Sequence, residues 1–215
     1  MANNFESLNN LEDNARKSSV VQERTGLVAV HMYKQFLDFQ KSNQNTNDIF
    51  IKMAEIMNQV VESLKQSFSV RNIPSGNIYC EIDSTKTIAT INILWHTISF
   101  TSRYNTSPKA FKREGESPLL CGRIFAVNGN FMNLMQGVSD YDEQMKILLE
   151  KEIASLYVPA EKNQSVIMTI RHKDNQEYYL SHVDAPRDFL LKVIEIICAG
   201  GVLHEQTPKP NFFNI

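Results

Sequence analysis

Three cysteines, Cys80, Cys121 and Cys198, and five histidines are the side chains of this sequence best suited to nucleophilic or metal chemistry. Cys121 is the foremost candidate nucleophile. It opens an apolar strand pattern and precedes Gly122 and Arg123. A thiol attacks as its thiolate, so it needs a base within hydrogen-bond reach and a depressed pKa. His96 and His31 are the candidate bases, and the pairing defines one reading of the chain: a small hydrolase-type enzyme. The competing reading of Cys121 is a buried structural thiol. Cys80 and Cys198 fall on apolar faces and read as core residues.

Metal chemistry finds less support. His172 and His182 flank one predicted hairpin but do not fall opposite each other across the turn at residues 173–176. A zinc site needs three or four converging ligands, so both histidines read as surface or rim residues. His204-Glu205 is not followed by a second histidine one turn later. The eight glycines form neither a dinucleotide fingerprint nor a P-loop, whose clustered glycines let backbone amides approach phosphate oxygens. No cofactor and no metal are therefore expected. Lys109, Phe111, Lys112 and Arg113 sit in a polar, proline-containing segment at 104–118, where cations beside an aromatic ring are suited to gripping a phosphate backbone and stacking a base. Glu114 and Glu116 follow at once. With a net charge of −2 and a pI near 6.2, the chain lacks the basic excess of a nucleic-acid binder.

The elements that must position these residues follow from composition and periodicity. In 215 residues, 42% are hydrophobic and 21% charged, which is a globular balance, and the length suits one large domain or a domain with a long arm. Met1 to Asp13 is Asn-rich and acidic and has no secretory pattern. The apolar stretch Phe189–Leu203, interrupted by Lys192 and Glu195, is too short and polar to span a bilayer. An odd cysteine count without C-x-x-C points to reduced thiols in a cytoplasm. Asn105-Thr106-Ser107 and Asn163-Gln164-Ser165 match the glycosylation pattern and read as loop sequences.

Residues 1–17 read as a mobile polar segment. A helix is predicted over 18–40 from Val28, Met32 and Phe36, with Gly26 as a candidate break. Lys41–Asn47 reads as a loop. A second helix, capped by Asn47 or Asp48, carries Phe50, Met53, Met57, Val60, Val61, Leu64 and Phe68 on one side and ends before Pro74-Ser75-Gly76. Alternation then predicts three or four strands over 78–82, 89–104 and 119–127. Ser139-Asp140-Tyr141-Asp142 reads as the start of a helix. Tyr141, Met145, Leu148, Leu149, Ile153 and Leu156 form its buried side, and Pro159 stops it. A hairpin follows over 166–182. Asp184-Ala185-Pro186 opens a last helix that Gly200-Gly201 ends. The expected architecture is α+β: an antiparallel sheet of about five to six strands in the order α-α-β3/4-α-β2-α, forming one domain over 18–203 with a tail at 204–215.

The last helix is apolar over most of its circumference. Phe189, Leu190, Val193, Ile194 and Ile197 either bury against their own domain or wait for another chain. Methionines at 53, 57, 132, 135, 145 and 168 suit a core and also an adaptable interface.

The order of elements, the acidic composition and this helix resemble type III secretion chaperones. Over residues 48–203 the chain is similar, in architecture, to the adaptors of the type IVB (Dot/Icm) secretion coupling complex. The resemblance implies a non-enzymatic adaptor or chaperone that works in a hetero-oligomer beside small acidic subunits. It would bind an effector or a coupling-protein segment through Phe189, Leu190, Val193, Ile194 and Ile197, without membrane insertion. Apolar burial, with strand addition at a sheet edge, would be the mechanism.

Overall fold

The structure, a computed structural model, describes residues 3–105, 109–111, 119–171 and 176–200. Its first element is one helix, α1 (Asn3–Val70), of 68 residues. At ~1.5 Å per residue it is about 100 Å long. The two helices and the intervening loop expected from the sequence are a single rod that continues through Gly26 and takes in residues 3–17.

The stretch 41–47, expected as a loop, is helical for a physical reason. Ser, Asn and Gln favour loops because their side chains compete for backbone hydrogen bonds. Here those bonds are made without leaving the helix. Ser42 Oγ donates to the Phe39 carbonyl at 3.0 Å and Thr46 Oγ1 to the Ser42 carbonyl at 2.7 Å. Asn45 Nδ2 donates to the carbonyls of Pro159 and Ala160 at 3.1 and 2.9 Å, and all three side chains are buried. Tertiary docking, not propensity, holds this part of the helix. Asn47 and Asp48 therefore lie inside α1 and cap nothing.

Among the described residues, eight strands form one antiparallel sheet. They are β1 (Ile78–Ile82), β2 (Ile88–Ile93), β3 (His96–Thr101), β4 (Lys109–Phe111), β5 (Leu119–Asn128), β6 (Glu152–Pro159), β7 (Val166–Ile170) and β8 (Glu177–Leu180). The order is β1-β2-β3-β5-β6-β7-β8, with β4 paired to the start of β5 on the side that β3 occupies further along. The α+β class holds, but two strands were not foreseen. β4 lies in the expected loop. β6 replaces the second half of an expected helix: α3 (Tyr141–Lys151) ends where Glu152 turns extended. Ile153 and Leu156 are three residues apart, which imitates a helical face. Yet Ile-Ala-Ser-Leu-Tyr-Val is an almost continuous apolar run, which fits a strand buried on both faces between β5 and β7. The α3 helix starts within the expected 139–142 stretch, capped by Asp140, whose Oδ2 accepts the Glu143 amide at 2.9 Å.

Helices cover both faces. On one face lie the later half of α1 and α4 (Ala185–Ala199), placing Phe50, Met53, Met57 and Phe189 over Ile91, Phe100, Ile124 and Leu156. The Phe100 and Phe189 rings meet edge-on, 5.8 Å apart. On the other face α2 (Phe131–Leu134) and α3 bring Phe131 and Leu148 against Phe125 and Val127. α4 begins and ends where predicted, with Gly200 at φ 60° as its stop. Asp184 holds the N-cap position, but its carboxylate accepts Ser181 Oγ at 2.8 Å and an Arg187 nitrogen at 3.1 Å, not a first-turn amide.

Candidate functional site

The expected partner-binding stripe on α4 is part of the core. Phe189, Leu190 and Val193 have no exposed surface, and Ile194 and Ile197 are half-buried against the same cluster. The correction has a simple cause. A helix wedged between another helix and a sheet needs apolar residues over most of its circumference, so its greasy sequence is consumed by its own fold.

The Cys121–histidine pair is not assembled. Cys121 is 1% exposed, and burial pushes its thiol up to about 12, the opposite of activation. His96 opens β3, and β3 pairs with the far end of β5, where Ile98 faces Asn128. That is about seven strand residues from Cys121, roughly 23 Å. His31 lies on α1 about eleven residues before Ser42, the residue level with Gly122, hence roughly 16 Å along the helix. The Cys80 thiol donates to Asn58 Oδ1 at 3.1 Å, and Cys198 is exposed. Among the described residues no three His, Cys, Asp or Glu side chains gather as metal ligands. His182 is half-buried, whereas His172 lies outside the described residues.

The 104–118 segment is not an exposed loop throughout. Tyr104 and Asn105 are buried: Tyr104 donates to Gln144 Oε1 at 2.9 Å, and Asn105 brackets the Arg123 backbone through its amide and carbonyl groups. Lys109 and Phe111 lie in β4, while Lys112 and Arg113 fall outside the described residues.

Two polar features were not anticipated. Arg123 donates to Ser155 Oγ at 2.9 Å and to Glu152 Oε1 at 2.7 Å, and its guanidinium lies 3.9 Å from the Phe125 ring centroid and 5.0 Å from that of Tyr157. Ser155 also donates to Glu152. Its charge is therefore matched, and the cluster ties β5 to β6. The second is a polar cleft of about 360 Å³ lined by Asn43, Asn47, Thr85, Thr87, Ser102, Arg103 and Asn105.

Among the described residues, the exposed large apolar side chains gather mainly on the N-terminal part of α1. Val20, Val21, Leu27, Val28, Val30, Met32, Tyr33, Phe36 and Leu37 are between 37% and 69% exposed. At 100° per residue most of them share a broad arc, from Val28 through Met32 and Phe36 to Tyr33, Leu37 and Val30. Glu23, Arg24, His31, Lys34, Gln35 and Asp38 form the opposing polar stripe. The periodicity of Val28, Met32 and Phe36 was legible as an amphipathic helix. What the sequence does not reveal is that, among the described residues, nothing covers this face.

The arm leaves the domain at a fixed point. Lys41 Nζ pairs with Glu161 at 3.0 Å, Asn45 holds the end of β6, and Ser42 and Thr46 press on Gly122. No helix among the described residues is long and apolar enough to cross a membrane. Compared with family models, curated proteins and solved structures, the chain matches none.

Proposed function

We propose that the protein is a non-enzymatic protein-binding adaptor that docks a partner helix along residues 20–37 of α1. The observation that carries this reading is the run of nine large, half-exposed apolar side chains on a helix anchored rigidly to a well-packed domain. Burying a large aliphatic or aromatic side chain contributes about 1.5–3 kcal/mol, so a few anchors suffice for specific binding. This reading moves the working surface from α4, where the family resemblance puts it, to the arm. The secretion-adaptor reading, with effectors or a coupling protein as partners in a cytoplasmic hetero-oligomer, is kept as part of the proposal. It rests on architectural resemblance alone.

The hydrolase alternative has no observation in its favour: its thiol is buried with a raised pKa, and both histidines lie away from it. The test is capture of partners from native cells with the full chain and with a Val28→Glu/Phe36→Glu variant. The adaptor reading predicts partners lost from the variant while its domain keeps the wild-type melting transition. Equal capture by both proteins would overturn it.

A further inference from the structure

The polar cleft and the Arg123 cluster point to no ligand, whereas the arm carries an inference that deepens the proposed function and rests on it. We infer that in the free protein the arm is covered by the arm of a second copy, in a two-fold symmetric helix pair.

The first support is area. The exposed portions of the nine side chains amount to on the order of 900 Å² per chain, comparable with the ~800 Å² that each partner gives to a standard interface. A helix pair covers the part of this area that lies on the shared arc, from Val28 through Phe36 to Tyr33 and Leu37. The second support is charge. Between Val20 and Asp38 the arm carries Glu23 and Asp38 against Arg24 and Lys34, so it has no net charge. Two such arms approach without like-charge repulsion. A strongly charged partner gains no complement there, and an anionic bilayer, which selects helices with a basic face, gains none either.

The third support is Gly26. Glycine inside a helix costs about 1 kcal/mol relative to alanine. Nothing among the described residues explains it, because a Cβ there meets no atom of them within 4 Å. With Ala29 on the same side, it forms a notch able to receive a large side chain such as Tyr33 or Phe36 from the opposite arm. Because such an interface is isologous, one association covers both exposed faces.

Sedimentation velocity on the full chain, up to about 100 μM, tests the inference. The wild type is expected to be a concentration-dependent dimer of the 24.6 kDa chain, and Val28→Glu/Phe36→Glu a monomer. Phe36→Ser adds no charge, guards against loss of the helix in the double variant, and is expected to weaken the dimer at least tenfold. A wild type that stays monomeric, or a dimer that survives all three substitutions, would overturn self-pairing. Neither result touches the adaptor reading, which stands or falls on partner capture.

Discussion

Thr46 of α1 lies so close to Gly122 of β5 that a Cβ on the glycine would sit 2.1 Å from Thr46 Oγ1 and 3.2 Å from the Ser42 carbonyl oxygen. The arm leaves the sheet at this contact. Gly122→Ala is expected to separate helix from strand and cost about 1–3 kcal/mol, as overpacking does. Thr46→Ala in the same chain removes the nearest clashing atom and should restore part of the loss. Urea denaturation reads both effects; an unchanged midpoint for Gly122→Ala would refute the close approach.

Arg123 and Glu152 make the most buried ion pair among those described, with side chains 13% and 9% exposed. Arg123→Leu leaves a buried carboxylate uncompensated and should cost about 3–5 kcal/mol. Arg123→Leu/Glu152→Leu removes both charges and should recover most of that. Denaturation of the two single variants and the double variant measures the coupling. A double variant no better than Arg123→Leu would argue against this reading of the cluster.

On α4, core packing and partner binding predict different behaviour. Phe189→Ala should cost about 3–5 kcal/mol. Ile194→Asp should lower Tm sharply, whereas Leu191→Asp, at a position 39% exposed, should leave it near wild type. A fully stable Ile194→Asp protein that fails to bind its partner would return the docking role to α4.

His182 supplies a pH dependence. Burial holds its imidazole below the ordinary value of 6.5 and the nearby Lys162 adds to this, while hydrogen bonds with the Gln164 and Glu161 backbone act in the other direction. The unfolded chain therefore takes up this proton more readily than the folded one. The stability contributed is complete above pH 6.5 and is lost as the pH falls from there through the lower folded value. In chemical denaturation, wild type should lose more stability than His182→Gln between pH 7 and pH 5.5. Parallel pH profiles would show that His182 titrates alike in both states.

How much was readable depended on whether local pattern and tertiary context agreed. They agree for α4, where Pro186 sits at the start and Gly200 at the end, and for the β7–β8 hairpin, whose apolar alternation faces the helices. The pattern over 89–104 fits one bent strand or two, and the structure divides it into β2 and β3. They conflict at Ser42, Asn45 and Thr46, because polar residues that signal a loop are satisfied inside a helix by strand-end carbonyls. They conflict again at Ile153–Val158, where a three-residue spacing imitates a helix inside a strand buried on both sides. The α4 stripe left core and interface readings open for a related reason. Hydrophobic periodicity reports that a face wants cover, and Phe189 and Phe36 signal this equally well. Only the packing shows that, among the described residues, Phe189 has found it and Phe36 has not.

The central claim, that the N-terminal arm is the working surface, is tested most directly by site-specific photo-crosslinking in native cells. A photoreactive residue is placed at Val28 or Phe36 on the arm, or at Leu149 or Leu191 on the domain. Adducts of higher mass are predicted from the arm positions, and none from the domain positions. Adducts confined to Leu149 or Leu191, with a silent arm, would contradict it.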